Sequence, residues 1–389
     1  MRIVDLEAFV CRSPLKRVMW SLQPSIRGCP RTANFIEAVI VRLSSSNGLV
    51  GYGQTVGVCF KGSRILPVGE RCKRLLEDIV RPKILGMRLH NNVVLWRKLR
   101  DALIGEAYGK HALACVDIAL WDLKGKSLGL PLYDLLGGAY RKTVRLYASK
   151  IPGVTDVEND EEIDLFSRRL RLLKEEGYGA FKIGGGLGVD ADAYSVELAR
   201  EILGSECAIM LDAGCAYDRD EAYRLGKRLE DFDVEWFEAP LKPEDIAGYV
   251  ELARNLDVKV ATDVHSDPRQ IIELLREDGI DVILGDVTSN EGITQVKRIS
   301  EIADLFNVDF SVHAGWHISS IGYAASAHVA SSIPNLNFQE GRVQFNDTPI
   351  GNPILKRPLK IENGSMTVPE GPGLGIEVNE EALNKYVVD

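Results

Sequence analysis

From about residue 142 onward, short apolar runs alternate with amphipathic stretches long enough to form helices. The apolar runs read VRLYAS, GAFKI, AIMLDA, VEWFEA, VKVATD, DVILGD, DFSVHA and LNFQE. Parallel strands joined by crossover helices have this pattern. Eight such units predict an α/β fold that closes into a parallel β/α barrel.

An open, doubly wound sheet is the structural alternative, and it requires a GxGxxG turn after one strand. The sequence GGGLG at 184–188 does follow a strand. A glycine-rich loop alone is a weak signal, however, and no acidic ribose-binding residue follows a second strand at the required distance. The barrel is therefore favoured.

The N-terminal third differs, because strand-like alternation in its first 60 residues is followed by helical periodicity in 67–104 and 110–128. Ser-Asn-Gly at 46–48 is a hairpin-turn signal. These features predict an α+β domain ahead of the barrel. The expected parts are an N-terminal capping domain (1–125), a barrel catalytic domain (126–360) and a C-terminal segment that packs back on the capping domain (361–389).

Charge and composition limit the possible partners. The net charge of −9 argues against nucleic acid as a partner, because phosphate binding requires a basic surface. No run of 18 apolar residues is present, so no membrane partner is expected. The seven cysteines are scattered and form no CxxC, which argues against a zinc site and predicts a reducing, cytoplasmic location.

A polar residue stands at the end of seven of the predicted barrel strands. They are Lys182, Asp212, Glu238, Asp263, Asp286, His313 and Glu340, and successive members lie 23 to 30 residues apart. In a barrel, the carboxyl ends of the strands form the active-site face, so these side chains should converge. Carboxylates that converge in one pocket repel each other unless a cation neutralises them. Asp212, Glu238 and Asp263 are therefore candidate ligands of one hard divalent ion, Mg²⁺.

Six segments together resemble the enolase superfamily, in the mandelate racemase subgroup that includes the acid-sugar dehydratases. They are ALACVDIALWDLKGKSLGLPLYDLLGG (112–138), LDAG (211–214), EWFEAPLKPED (235–245), GD (285–286), SVHAGWHISSIGYAASAHVASSIPN (311–335) and PEGPGLGIEV (369–378). The resemblance covers nearly the whole chain. It implies a modified TIM barrel of (β/α)7β form with a capping domain.

The resemblance also assigns roles at the strand ends. His313 matches the histidine base, and Asp286 supports its other ring nitrogen. Glu340 matches a carboxylic acid that hydrogen-bonds to the enediolate and must be protonated to do so. His317, one helical turn after His313, is expected at the pocket rim, with contact to substrate as the alternative.

One departure concerns the second barrel strand, where many family members carry Lys-x-Lys and use the second lysine as a base. Aligned without gaps, Lys182 matches the first lysine and Gly184 stands where that base would be. Lys182 would then neutralise the substrate carboxylate. In the alternative register, Lys182 is the base and Ala180 replaces the first lysine.

A second departure concerns the third metal ligand, where the subgroup usually has Gly-Glu. Here Asp263 stands in place of the glycine and Val264 in place of the glutamate, in the sequence ATDVHS. Related subgroups use an aspartate at this point, so Asp263 is the expected ligand and His265 is the alternative.

The resemblance implies a Mg²⁺-dependent lyase that dehydrates an aldonic or aldaric acid sugar to a 2-keto-3-deoxy acid. The alternatives are a racemase or epimerase of a 2-hydroxy acid, which needs a second base, and a non-catalytic barrel that binds a sugar acid. Further copies of the chain are expected as partners. In this family, loops of the capping domain select the substrate, so Lys16, Arg17 and Trp20 in PLKRVMWSLQPS (14–25) are candidate substrate contacts.

Overall fold

The computed structural model describes residues 1–20, 32–56, 58–61, 64–263, 268–314, 319–342 and 351–388. Two sheets dominate these residues, an antiparallel sheet of four strands and a closed barrel of eight parallel strands. No helix in these ranges is both long enough and apolar enough to cross a membrane.

The antiparallel sheet combines the start of the chain with its end. Across the sheet its strands are β16 (Val387–Val388), β1 (Ile3–Trp20), β2 (Thr32–Ser45) and β3 (Val50–Val56). The predicted hairpin turn lies between β2 and β3, where Gly48 has a φ of +83° that suits glycine. A small hairpin and four helices follow: β4 (Val58–Lys61), β5 (Arg64–Pro67), α1 (Val68–Leu75), α2 (Arg81–Ile84), α3 (Asn92–Leu103) and α4 (Gly109–Leu128).

Helix α4 lies directly on β3 because two glycines of the strand allow close contact. A Cβ at Gly53 would lie 1.9 Å from the carbonyl oxygen of Cys115, and one at Gly51 would lie 2.5 Å from that of Ala119. Most of α4 is buried, as expected for a helix that is apolar nearly all round. The helix also contacts α3 and the barrel, so it joins the two halves of the molecule.

Eight parallel strands close into a barrel because the last of them pairs with the first. The strands are β6 (Thr143–Pro152), β7 (Ala180–Gly184), β8 (Ala208–Asp212), β9 (Trp236–Glu238), β10 (Val260–Asp263), β11 (Val282–Gly285), β12 (Asp309–Val312) and β13 (Leu336–Arg342). After the short α5 (Leu132–Leu135), the helices that connect the strands in the described part of the chain are α6 (Asp160–Glu175), α7 (Val189–Leu203), α8 (Arg219–Leu229), α9 (Ile246–Asn255), α10 (Pro268–Arg276), α11 (Ile293–Leu305) and α12 (Ser320–Ser331). This arrangement confirms the predicted barrel of (β/α)7β form.

The C-terminal segment contacts both parts of the fold. Strands β14 (Ile361–Glu362) and β15 (Ser365–Thr367) form a hairpin that pairs with β6, and α13 (Glu380–Asn384) precedes β16 at the edge of the antiparallel sheet. The domain limits at 125 and 360 remain predictions.

Large side chains fill the barrel interior below the carboxyl ends of the strands. The inner cluster consists of Tyr147, Ala180, Met210, Trp236, Ala261, Val282, Leu284 and Phe338. Because side chains alternate along a strand, residues two positions beyond several of these point into the same space one layer higher. That layer contains the candidate active site.

Candidate active site

The polar strand ends lie side by side because the parallel strands are paired in register. Asp212 is paired with Gly184 on one side and with Glu238 on the other, and Glu238 is paired with Ala261. This order brings the side chains of neighbouring strands to one end of the barrel.

Lys182 is buried between two of the predicted metal ligands. Its Nζ lies 2.8 Å from Glu238 Oε1 and 3.2 Å from Asp212 Oδ2. Burial alone would lower the pKa of this ammonium, but the negative charge of Glu238, with that of Asp212, raises it well above the ordinary value. Lys182 is therefore a fixed positive charge in this arrangement.

Aromatic side chains from the layer below support this pair. Trp236 Nε1 donates a hydrogen bond to Glu238 Oε2 over 3.1 Å, so both oxygens of Glu238 have a donor. The ring of Tyr147 lies 5.5 Å from Lys182 Nζ and packs edge-on against Trp236. Strand alternation places residues 147 and 236 on the inner face, but the sequence did not identify these two aromatic residues as part of the site.

Within the described residues, the group suited to hold a metal ion consists of Glu238, Asp263 and His313, whose ligand atoms all lie within 4.8 Å of one another. Asp212, the third predicted ligand, lies outside this group on the neighbouring strand. Its carboxylate contacts Lys182 and accepts from Gly214 N, and its role as a ligand remains a prediction. Two of the three predicted metal ligands, Glu238 and Asp263, therefore lie close together, and the predicted base His313 lies next to them.

The donor set fits a hard cation. Burial raises the pKa of Glu238, the ammonium of Lys182 lowers it, and the charges of Asp212 and Asp263 raise it again. Glu238 is buried, whereas Asp212 is partly exposed and Asp263 is exposed, so the three carboxylates lie where the barrel interior meets solvent. Carboxylate oxygens are the ligands that Mg²⁺ prefers, and a cation there would relieve their mutual repulsion.

His313, at the end of β12, lies between two carboxylates. Its Nδ1 is 3.3 Å from Asp286 Oδ2, and its Nε2 is 3.2 Å from Glu340 Oε2. Burial disfavours the charged imidazole, but the charges of Glu340 and Asp263 and the hydrogen bond with Asp286 outweigh it and raise the pKa to about 9. The predicted pairing of His313 with Asp286 is present.

Glu340 differs from the protonated acid that was expected. Burial favours its neutral form, yet the positive charges of His313, Lys182 and Lys150 lower its pKa far below the ordinary value. Its Oε2 also accepts from the backbone N–H of Ala314 over 2.8 Å. These positive charges favour the carboxylate form of Glu340, whereas the role expected from the resemblance needs the protonated acid; that role remains a prediction.

The glycine-rich loop after β7 is not built to bind a phosphate. Gly185 N donates to the carbonyl of Asp212 over 2.8 Å, and Gly186 N donates to Asp192 Oδ2 over 2.6 Å. Gly188 N donates to the hydroxyl of Tyr217 over 3.2 Å. These N–H groups are already paired within the protein, which agrees with the rejection of a dinucleotide fold.

Several candidate residues fall outside the described part of the structure. Lys16, Arg17 and Trp20 belong to β1 by their backbone, but their side chains lie outside it. His317 and His265 lie outside it altogether. Their roles remain predictions.

Comparison with known proteins assigns the family. Residues 166–382 match the family described as enolase C-terminal domain-like, and residues 15–137 match the mandelate racemase/muconate lactonizing enzyme N-terminal domain.

Curated relatives cover most of the chain. The D-galactarolactone cycloisomerase of Agrobacterium fabrum is 29% identical over 357 residues, covering 90% of each chain. The arabinonate dehydratase of Saccharolobus solfataricus is 28% identical over 366 residues, covering 90% of this chain and 91% of its own.

A solved structure, the 3,6-anhydro-D-galactonate cycloisomerase of Zobellia galactanivorans, covers 100% of both chains with 26% identity and a TM-score of 0.80. Together with the two matched domains, these similarities confirm the resemblance noted in the sequence. The chain therefore belongs to the enolase superfamily, within its mandelate racemase subgroup.

Proposed function

We propose that this protein is a divalent-cation-dependent dehydratase of an aldonic or aldaric acid sugar that gives a 2-keto-3-deoxy acid. The observation that carries the proposal is the position of His313, which is bonded to Asp286 and adjoins Glu238 and Asp263. Relatives named as dehydratases of arabinonate, D-gluconate and D-mannonate support the substrate class.

Glu238, Asp263 and the neighbouring Asp212 would hold one Mg²⁺. When bound, the ion supplies positive charge opposite the substrate carboxylate, where negative charge builds as the α-proton leaves. Lys182 adds a fixed ammonium on the same side. The charge that develops in the transition state is therefore matched by groups already in place.

His313 takes the α-proton at Nε2, while Asp286 holds Nδ1 and stabilises the imidazolium that forms. The imidazole must be neutral to act, so compensation of the negative charge of Glu238 and Asp263 has to precede proton removal. The imidazolium then returns its proton to the 3-hydroxyl, which leaves as water. The resulting enol rearranges to the 2-keto-3-deoxy acid.

A cycloisomerase is the second candidate, because similar proteins that act on sugar-acid derivatives by name, D-galactarolactone and 3,6-anhydro-D-galactonate, are cycloisomerases. The same single base would serve an elimination in which the leaving oxygen belongs to a ring and stays attached to the product. A racemase requires a base on the opposite face, where Gly184 stands at the end of β7. A barrel that only binds a sugar acid would exchange no proton.

The test is to incubate the protein with a library of acid sugars and their lactones, with Mg²⁺ and with chelator. We expect cation-dependent formation of a 2-keto-3-deoxy acid, absent in His313→Asn. Ring opening of a lactone or anhydro sugar without loss of water would identify a cycloisomerase instead. Binding of an acid sugar without exchange of its α-proton would indicate a protein that binds the sugar acid and does not catalyse a reaction.

A further inference from the structure

The turn after β11 fixes one oxygen of Asp286 with two hydrogen bonds from a single residue. Thr288 donates to Asp286 Oδ1 from its backbone N over 2.7 Å and from its Oγ1 over 2.8 Å. A bond of 2.8 Å from Asn290 N to the carbonyl of Asp286 closes the turn. With Oδ1 fixed in this way, Oδ2 is directed at His313 Nδ1.

The N-terminal domain holds this turn from two of its elements. On β3, Thr55 Oγ1 donates to the carbonyl of Thr288 over 2.6 Å. On α3, Trp96 Nε1 donates to the carbonyl of Glu291 over 2.8 Å, and Arg100 Nε lies 2.7 Å from Glu291 Oε2. Glu291 has a φ of +63°, a conformation that a residue other than glycine keeps only when its surroundings enforce it.

We propose that Thr288 is a positioning residue for His313, and that the N-terminal domain sets that position through Thr55. The connection runs from Thr55 to the carbonyl of Thr288, from Thr288 to Asp286, and from Asp286 to the imidazole. It is buried, since Thr55 and Thr288 are 0% exposed and Asp286 is 2% exposed. The inference rests on the proposed function, in which His313 is the base.

The geometry makes Thr288 a sensitive point. Without the Thr288 hydroxyl, Asp286 Oδ1 loses one of the two hydrogen bonds that Thr288 donates to it, and the carboxylate is less restrained from rotating about its Cα–Cβ and Cβ–Cγ bonds. Rotation moves Oδ2 away from His313 Nδ1, and the imidazole loses the partner that sets its orientation. Small misplacements of a base reduce the rate of proton transfer without weakening substrate binding.

The perturbation is Thr288→Val, which keeps the shape of the side chain and removes the hydroxyl. We expect kcat for α-proton exchange to fall about 10- to 100-fold, the usual effect of losing a group that orients an active-site ligand, with little change in KM. Thr288→Ser retains the donor and should recover most of the activity.

Thr294→Val is the matched control. Thr294 also donates a buried hydrogen bond to a carboxylate across the same interface, from Oγ1 to Asp117 Oδ1 over 2.7 Å. Its side-chain hydrogen bonds are with Asp117 and with the indole N–H of Trp121, so the loss of its hydroxyl should lower stability and leave kcat near that of the wild type.

Thr55→Val should lower kcat by a smaller factor, and combining it with Thr288→Val should have less than the additive effect, because both act on one connection. A second readout does not depend on turnover: the proton on His313 Nδ1, followed by NMR, should exchange with solvent faster in Thr288→Val than in Thr294→Val. Equal kcat and equal exchange in the two variants would overturn the positioning role. If the wild-type protein exchanges no α-proton with any acid sugar, the proposed function fails, and the NMR comparison still decides whether Thr288 positions the imidazole.

Discussion

Replacing Lys182 with Met should destabilise the protein in a way that depends strongly on pH. The substitution keeps the length of the side chain and removes the ammonium that lies 2.8 Å from Glu238 and 3.2 Å from Asp212. Glu238 is completely buried, so without Lys182 it would be an uncompensated charge. With Lys182 in place, burial already raises the pKa of Glu238 to about 8, and without Lys182 it should rise further.

The cost of keeping Glu238 protonated sets the size of the effect. Holding the carboxyl neutral costs about 1.36 kcal/mol for each pH unit above the pKa of 4.5 of the unfolded chain. The wild type already bears this cost up to its folded-state pKa of about 8, so the extra cost in Lys182→Met appears only above that pH. A pKa that is raised in the folded state stabilises below the unfolded value and loses this stability as pH rises. We therefore expect the loss of unfolding free energy in Lys182→Met to be about 1.4 kcal/mol larger at pH 9 than at pH 7.

The assay is urea unfolding in chelator at pH 7, 8 and 9, followed by circular dichroism. The control is Lys356→Met, because the ion pair of Lys356 with Glu377 is exposed to solvent and should contribute little. A loss for Lys182→Met that stays constant across this pH range would show that Lys182 acts through packing, and the electrostatic reasoning would be wrong.

Three further predictions concern the proposed reaction. Glu238→Gln should lower Mg²⁺ affinity at least about tenfold, as measured by isothermal titration calorimetry. The control Glu251→Gln changes an exposed residue and should leave the affinity unchanged. Unchanged affinity in Glu238→Gln would exclude Glu238 as a ligand. His313→Asn should abolish exchange of the substrate α-proton in D₂O, measured by NMR. The control His90→Asn changes an exposed histidine and should retain the exchange. Exchange that survives in His313→Asn would show that another residue is the base. Because Gly184 offers no base on the opposite face, the unreacted substrate should keep its C2 configuration, and interconversion of the C2 epimers would contradict a one-base site.

The barrel could be predicted because each strand carries its own signal. The runs AIMLDA and DVILGD are short, apolar and closed by a polar residue, and the structure has β8 and β11 at these places. Helix 110–128 was also predicted within one residue of its observed start at Gly109. Local periodicity decides these elements, and the parallel register then brings their ends together.

The contacts between side chains of the site were harder to predict. The position of a residue in its strand determines whether its side chain points into the barrel, but it does not determine which neighbouring side chain it contacts. Asp212 and Lys182 both follow from the strand ends, yet their pairing depends on how far the lysine reaches across the barrel. The charge state of Glu340 likewise depends on His313 and Lys150, which come from different strands. The sequence analysis gave Thr288 no role, although an Asp-x-Thr sequence after a strand is a signal for a side chain that accepts from the residue two positions on.

Lys182 and His313 differ in the proton transfers that they can perform. This difference concerns the alignment that the sequence left open, in which Lys182 is either the second base or a group that binds the substrate carboxylate. If Lys182 were the base, it would have to be neutral before reaction. Its burial would favour that form, but Glu238, Tyr147, Asp212 and Glu340 all stabilise the ammonium instead. An ammonium held in this way suits the binding of a substrate carboxylate. His313, by contrast, can keep its Nδ1–H on Asp286 whether Nε2 is neutral or protonated, because the two nitrogens lie on opposite sides of the ring. Both features support the proposed removal of a proton from one face of the α-carbon, followed by elimination, over racemisation.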